Sequence, residues 1–499
     1  MTRKAMLLSF LGGFLSLSIE IIWIRLFTFS YPLPQFFSLT LAIFLVGIAI
    51  GAFIGKRICN EEKASINYIG RIFILAALLD ILAILGIIYS VQPTTLLVLG
   101  LSVLLCSVVR GIIFPIVHHL GSEKQKTGAA ISNVYFSNVI GCTLAPIIVG
   151  FYLLDIFSTQ QTYLLIIAST FFVAYFCISS KLLKITAIVL GALSIISLVQ
   201  LPEKIITALA QNEGIKLEKL IENKHGFIQI YRDKNNEQIV FGNNVYDGKL
   251  NIDLLNNTNM IDRAYMLPII APDAKNILVI GLSTGSWVDV LTSVPTLESI
   301  TVVELNPDYN EFADFYPPMA ELLKDKRVNV IADDGRRWLN KHPDKKFDYI
   351  LMNTTWYWRS YTTNLLSKEF LSLAKERLNP NGFIYFNTTG FHDSFYTSKS
   401  VYPYVYQYKN MSLASLIPIK KPTEDEISKS LAKLVFQKNN KPVFNSDIQL
   451  ANATDEMMKY PIIDYHDIDF TRLGRAPEVT TDYNMIPEYK YGFLSTKPE

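Results

Sequence analysis

Long apolar runs broken by short polar stretches fill the first 201 residues, and beyond them the pattern turns to short β-type runs and then to alternating strand and helix. Apolar segments of spanning length lie at 5–29, 36–58, 69–90, 94–118, 128–154, 160–180 and 183–201. As helices, each is long enough to cross a hydrocarbon layer of about 30 Å. From about 220, the runs FIQIYRD, EQIVFG and NNVYDG are separated by Asn, Asp and Gly, which predicts a small antiparallel sheet. Asp262 to Leu267 (DRAYML) has helical spacing and is expected to close onto the turn after residue 280. Strand-like runs at 277–280, 300–303, 328–331, 348–352 and 383–387 then alternate with helical segments, including 335–341 and 365–378. Such alternation predicts a mostly parallel, doubly wound sheet with its ligand at the C-terminal strand ends. Three parts are therefore expected: an α-helical multi-span membrane domain of six or seven helices over 1–201, a linker and small antiparallel β-sheet over 202–272, and an α/β Rossmann-like domain with a C-terminal extension over 273–499.

Composition supports the first part and narrows the partners. Half of the residues are hydrophobic and 18% are charged, an apolar excess concentrated before residue 202. A formal net charge of +2, with no basic arm or stripe, excludes a nucleic-acid partner. The four cysteines (Cys59, Cys106, Cys142, Cys177) all lie in the apolar half without metal-ligand spacing, so no metal is expected. The first apolar segment is too long for a signal-peptide core and lacks a small-residue cleavage site. Lys and Arg cluster before the first segment (Arg3, Lys4) and after the second (Lys56, Arg57, Lys63), fourth (Lys124, Lys126) and sixth (Lys181, Lys184). The N-terminus and the even loops are therefore expected in the cytoplasm, in an integral protein of a bacterial inner membrane. A full crossing by the seventh segment would put 202–499 outside, where nucleoside cofactors are not supplied; a cytoplasmic C-terminal half is expected. Ionisable residues inside the spans mark function or pairing. Glu20, Arg25 and Arg110 stand out, with Asp80, Asn133 and Asn138. They either line a polar cavity for a headgroup or small solute, or they form a Glu20–Arg110 or Glu20–Arg25 pair.

The most informative chemistry lies between 276 and 335. A β-branched run ends in Gly281-Leu-Ser-Thr284-Gly285-Ser, a helix-length segment follows, and the next strand ends on Glu304. Glycines let a ligand approach the backbone, a helix N-terminus offers free N–H groups, and a carboxylate at the next strand tip accepts ribose hydroxyls. The third strand ends in Asp333-Asp334-Gly335. An acid there suits an adenine amino group and directs the choice from nicotinamide toward cofactors of the S-adenosylmethionine type. Asn353 and Asn387 close the fourth and fifth strands.

With these motifs in order, the chain resembles the spermidine synthase family of polyamine aminopropyltransferases, and especially bacterial membrane proteins that join an N-terminal multi-span domain to a spermidine-synthase-like domain. The resemblance runs over about 220–490 through VYDG, DRAY, the glycine loop, VVELNPD, IADDGRRWL, FDYILMN, LLSKEFLSLAKERLNPNGFIYFN and TTDYNMIPEY, with SLSIEIIWIRL in the apolar half. It implies a Rossmann-like domain of the methyltransferase type that binds S-adenosylmethionine or decarboxylated S-adenosylmethionine as co-substrate, and a homodimer. Gly281, Thr284 and Gly285 would cradle the methionine part and ribose, Glu304 the ribose hydroxyls, and Asp334, with Asp333 beside it, the adenine edge. Asn353 stands where the family carries an Asp that helps deprotonate the attacking amine, and Tyr265 of the DRAY helix is the second catalytic candidate.

The departures matter as much. An amide has no pKa near neutrality and cannot act as general base. The family's GGGDGG loop carries Thr284 at its acid, and the second acid after the fourth strand is replaced by Thr354-Thr355-Trp356-Tyr357-Trp358-Arg359. A polyamine site should keep those carboxylates, so putrescine is not the expected acceptor. Trp356, Trp358 and Arg359 are candidates for a substrate lid, or for a loop that packs at a membrane surface. His392 and Asp393 are either substitute bases or an exposed pair. Two functions follow as expectations: a membrane transferase that moves a methyl or aminopropyl-type group onto a small-molecule or lipid acceptor, or a membrane carrier or sensor whose ligand-binding domain no longer turns over.

Overall fold

A computed structural model describes residues 2–91, 93–122, 128–210, 214–353 and 356–492. Lys124, Lys126, Thr354 and Thr355 lie outside the described residues. The chain separates into two compact units, one of 1–213 with 222–226, the other of 214–221 with 227–499. The small sheet thus shares a unit with the large one, and no division falls at 272.

Within the first unit, seven helices among the described residues are long and apolar enough to cross a membrane: Arg3–Ser30, Pro34–Asn60, Ile66–Ile88, Thr95–Ser122, Ile131–Ile156, Thr159–Cys177 and Lys181–Gln200. The fifth turns π-helical over Pro146–Leu153. Small residues set the closest packing. Gly47, Gly51 and Gly55 recur every fourth residue on the second helix, and a methyl group on Gly51 would collide with the Val108 carbonyl and come within 2.8 Å of the Gly111 Cα. Only glycine lets two backbones approach so far.

The charged residues of this unit are paired differently from the sequence expectation. Arg110 binds Asp80 through both guanidinium nitrogens, Nη1 to Oδ1 at 3.1 Å. Arg25 donates from Nε to the Thr159 hydroxyl at 2.9 Å and from Nη2 to the Asn223 carbonyl at 2.6 Å, and lies 3.4 Å from Glu222. Neither a Glu20–Arg110 nor a Glu20–Arg25 pair forms. Glu20, only 6% exposed, has no hydrogen bond or ion pair among the described residues. The apolar runs placed each ion inside a long apolar segment but carried no information about its partner on another element.

The second unit begins with a four-stranded antiparallel sheet, in order β1 Lys216–Asn223, β2 Gly226–Arg232, β3 Gln238–Gly242 and β4 Val245–Lys249. The large sheet contains β5 Asn276–Ile280, β6 Ser299–Glu304, β7 Val328–Ala332, β8 Phe347–Met352, β9 Leu378–Asn387, β10 Tyr404–Tyr408 and β11 Met411–Ser415. After a small hairpin (β12 Val435–Phe436, β13 Lys441–Pro442), β14 Ile463–Asp464 completes it in the order β14-β10-β11-β9-β8-β5-β6-β7. Strands β5 to β9 pair in parallel, and β9, β11, β10 and β14 antiparallel. Central strands here are apolar on both faces because both are covered. Ile277 and Val279 join one core with Val288, Leu291 and Leu267, while Leu278 and Ile280 join another with Trp338, Leu339 and Phe370. The predicted helix 365–378 is two, Thr363–Leu366 and Lys368–Glu376, because Ser367 stops the first and caps the second by accepting from the Phe370 N–H.

Candidate active site

The order β9-β8-β5-β6-β7 sets the C-terminal ends of these strands in a row, and sequence decides what each end carries. Strand β5 stops at Gly281, whose φ of +91° turns the chain out of the sheet, and Gly285 (φ +74°) caps the helix Ser286–Thr292. A side chain on Gly285 would sit 2.5 Å from the Met319 Cε as well as in the left-handed region. Between them, Thr284 donates to the Ser286 hydroxyl at 2.9 Å and Ser283 to the Asp247 carbonyl at 3.1 Å, which ties the loop to β4.

Glu304 ends β6 beneath this loop. One carboxylate oxygen accepts the Leu282 N–H at 2.7 Å, the other the Asn306 N–H at 2.8 Å. Burial pushes its pKa up, and these backbone donors pull against the shift. A carboxylate offers about four acceptor positions, so two remain, the number that a ribose diol uses. At the end of β7, Asp334 caps the helix Gly335–Lys341 by accepting the Arg337 N–H at 2.7 Å, and its second oxygen lies 3.4 Å from the Asn364 amide. Asp333 turns toward Arg337 and Lys341, and the Arg337 contact keeps its carboxyl below the usual range despite burial. Of the two acids, Asp334 is the one that remains beside the row.

Beyond β5 on the other side the groups are amides. The Asn387 amide donates to Asn353 Oδ1 at 3.5 Å, Asn410 donates to Asn387 Oδ1 at 2.9 Å, and Arg263 Nη1 donates to Asn410 Oδ1 at 3.3 Å. Neither Thr284 nor Asn353 supplies a negative charge. Trp356, Trp358 and Arg359 lie in a loop fastened within this unit by the C-terminal segment. Glu488, buried, accepts the Tyr361 and Thr363 N–H groups at 2.9 and 2.8 Å, and Gly492 packs on Trp358. The Trp356 and Trp358 rings stack with centroids 6.4 Å apart.

Two expectations are corrected. Tyr265 belongs to the hydrophobic core, stacked obliquely on Phe444, with its hydroxyl donated to the Ile252 carbonyl at 3.2 Å; the DRAY helix faces the core at this position and no contact links it to Asn353. Asp393 is neither an exposed group nor a base: it is fully buried against Arg475 at 2.9 and 2.5 Å, while His392 contacts its own turn at the Gly390 carbonyl. Two groups were missed. Asp247 accepts the Tyr309 hydroxyl at 2.6 Å, and both lie beside Gly242, as does Arg359, whose pKa burial lowers and Asp247 raises. The Asp in VYDG was the available signal, since it stands inside a strand, where Asp is disfavoured.

A glycine loop at the end of the first strand, an acid at the end of the second and an acid at the end of the third are the arrangement of a Rossmann-type domain. Residues 264–420 match the spermine/spermidine synthase domain, so this part of the chain is spermidine synthase-like. A polyamine aminopropyltransferase of Agathobacter rectalis is 32% identical over 124 residues, which cover 24% of this chain and 43% of that protein. One of Clostridium botulinum is 30% identical over 114 residues, 23% of this chain and 39% of its own length. The chain thus spans about two fifths of the length of the curated relatives it matches. The solved spermidine synthase of Thermotoga maritima aligns with 49% of this chain and 88% of its own, at 16% identity and a TM-score of 0.37.

Proposed function

We propose that the chain is an integral-membrane group transferase of a bacterial inner membrane, with its N-terminus and its C-terminal half, 202–499, in the cytoplasm. It binds S-adenosylmethionine or its decarboxylated form and passes a methyl or aminopropyl-type group to a small-molecule or lipid acceptor other than putrescine, as a homodimer. The observation that carries this is Glu304: a buried carboxylate clamped to the glycine loop by Leu282 N–H, with acceptor capacity left over. The seven spanning-length helices support the membrane part.

Bound there, a sulfonium supplies a carbon already activated for displacement: the acceptor's lone pair forms the new bond while the C–S electron pair returns to sulfur as a thioether. Glu304 orients the ribose, Asp334 selects the adenine edge, and Gly281 lets the ligand approach the backbone. Asn353 holds the acceptor by hydrogen bonds, and the acceptor's proton leaves to solvent, since an amide cannot take it. Isothermal titration of the full chain in detergent with 5′-methylthioadenosine, S-adenosylmethionine and the decarboxylated form tests this. Saturable binding is expected, and no binding of any of the three refutes it.

A carrier or sensor with a non-catalytic ligand-binding domain is the second function, favoured by the buried Glu20 that lacks a partner among the described residues. It predicts ligand binding without product and sensitivity to Glu20→Gln. Steady release of thioether product by the detergent-solubilised protein excludes it.

A further inference from the structure

We propose that the pocket side beyond Gly281, where Arg263 borders the row of amides, binds a carboxylate, that of the amino-acid tail of the sulfonium, so that the chain uses S-adenosylmethionine and not the decarboxylated form. The inference rests on the adenosyl-sulfonium function above and names which member of that class is bound.

Placement comes first. Glu304 and Asp334 sit at the ends of β6 and β7, so an adenosine held by them lies over that side of β5. Its tail must extend the other way, toward the ends of β8 and β9, where Asn353 and Asn387 are. Arg263 joins this row through Asn410 at 3.3 Å, and its guanidinium carbon lies 4.8 Å from the Trp287 ring, in the first turn after the glycine loop. The Asn259 carbonyl that Arg263 contacts at 3.4 Å belongs to the residue whose Oδ1 approaches Gly248, beside the Thr284 methyl. Arg263 therefore borders the tail side of the pocket, next to the loop position that lost its acid.

Charge comes second. Arg263 is 6% exposed and forms no ion pair among the described residues. Its Nε, Nη1 and Nη2 donate to the Met260 carbonyl at 2.9 Å, to Asn410 and to the Asn259 carbonyl. A guanidinium has five N–H groups, and two of these are left. The adjacent acid, Asp262, is already neutralised: Lys409 lies 2.7 Å from it, Tyr408 donates to it at 2.9 Å and Asn257 at 2.6 Å. Arg359 is a different case, since the charge of Asp247 acts on it and raises its pKa. Among the described residues the tail side thus carries one buried cation, Arg263, without an ion-pair partner, and such a charge is costly unless a ligand supplies the anion. A site for a polyamine or an aminopropyl ammonium would carry the opposite sign. With the tail carboxylate retained, the transferable groups are the methyl or the whole 3-amino-3-carboxypropyl arm.

The test is equilibrium binding to the full chain in detergent, with 5′-methylthioadenosine, S-adenosylmethionine and decarboxylated S-adenosylmethionine as probes, on the wild type, Arg263→Met and Arg263→Lys. Wild type is expected to bind S-adenosylmethionine at least about tenfold more tightly than the decarboxylated form, the worth of one charge-assisted contact. Arg263→Met should bring the two within about twofold, and Arg263→Lys should keep part of the preference, while the tailless 5′-methylthioadenosine changes less than about threefold for both. Equal or tighter binding of the decarboxylated form by wild type overturns the proposal without reference to any variant. So does a preference that survives Arg263→Met, which would place recognition of the tail carboxylate on another group. Failure of 5′-methylthioadenosine to bind wild type is a different result: it removes the adenosyl function itself, and this inference with it.

Discussion

Replacing Glu304 by glutamine should separate the ribose contact from the shape of the pocket. The carboxylate spends one position on the Leu282 N–H at 2.7 Å and one on the Asn306 N–H at 2.8 Å, with the Ser283 N–H marginal at 3.5 Å. Of about four acceptor positions two remain, and each charge-assisted bond to a ribose hydroxyl contributes about 1.5–3 kcal/mol. Glutamine keeps the volume but has one acceptor oxygen, and its NH2 must face either Leu282 or Asn306, donor against donor. Both ribose bonds are weakened and one backbone donor loses its acceptor. Allowing for water that replaces part of the loss, the expected cost is about 3 kcal/mol, or a dissociation constant roughly 150-fold higher. The assay is isothermal titration of 5′-methylthioadenosine into the full chain, which removes any contribution from the tail, with thermal melting of the apo protein to confirm folding. Glu304→Asp, which retains the charge at shorter reach, should fall between the two. A glutamine variant that melts normally and binds within about threefold of wild type would refute the assignment of Glu304 to the ribose.

Three further outcomes are expected. Asp289, on the helix after the glycine loop, is pushed up to about 7 by burial; because this lies above its unfolded value of 3.8, the fold favours the neutral acid, and its stabilising effect is present below about pH 4 and lost as pH rises through about 7. Asp289→Asn should therefore raise stability at about pH 8 by on the order of 2 kcal/mol with little effect at about pH 4, and an equal gain at both pH values in thermal melts would contradict the burial argument. Asp80→Asn strands the Arg110 guanidinium and should cost about 3–5 kcal/mol, while Asp80→Leu with Arg110→Met recovers most of it; a double variant no better than the single, measured in detergent melts, counts against a simple buried pair. Glu488→Ala frees the Tyr361 and Thr363 N–H groups and should cost about 2–4 kcal/mol locally, read as faster amide exchange at those two residues; unchanged exchange would show that the tail does not hold the loop.

Much of the architecture was legible because it rests on local pattern. The long helices of the first unit are continuous apolar runs, and β5 to β9 are short β-branched, aromatic or aliphatic runs bounded by turn residues, so length and flanks were sufficient. Strands β10, β11 and β14 were not found, since Tyr404–Tyr408 and Met411–Ser415 become strands only by pairing with β9. The helices Glu424–Ala432 and Asp447–Met458, which contribute Leu431 and Met457 to the core, were missed as well. At the site, Gly281, Gly285, Glu304 and Asp334 follow from position relative to a strand end, which sequence carries directly. Partner choice is non-local: Asp80 finds Arg110 30 residues away, and Arg25 reaches Glu222 across 197. Nothing in either neighbourhood names the other.

The turn between β1 and β2 has a practical consequence. Residues 222–226 belong to the first compact unit although the chain reaches them only after 213. There Glu222 accepts the Thr159 N–H at 2.5 Å and pairs with Arg25, and Lys224 meets Asp155 at 3.0 Å. A gene split at the evident end of the apolar half, near 201, would leave Arg25 on one product and its carboxylate on the other. No single cut yields both halves whole, and the helical unit must be expressed with its hairpin tip or not at all.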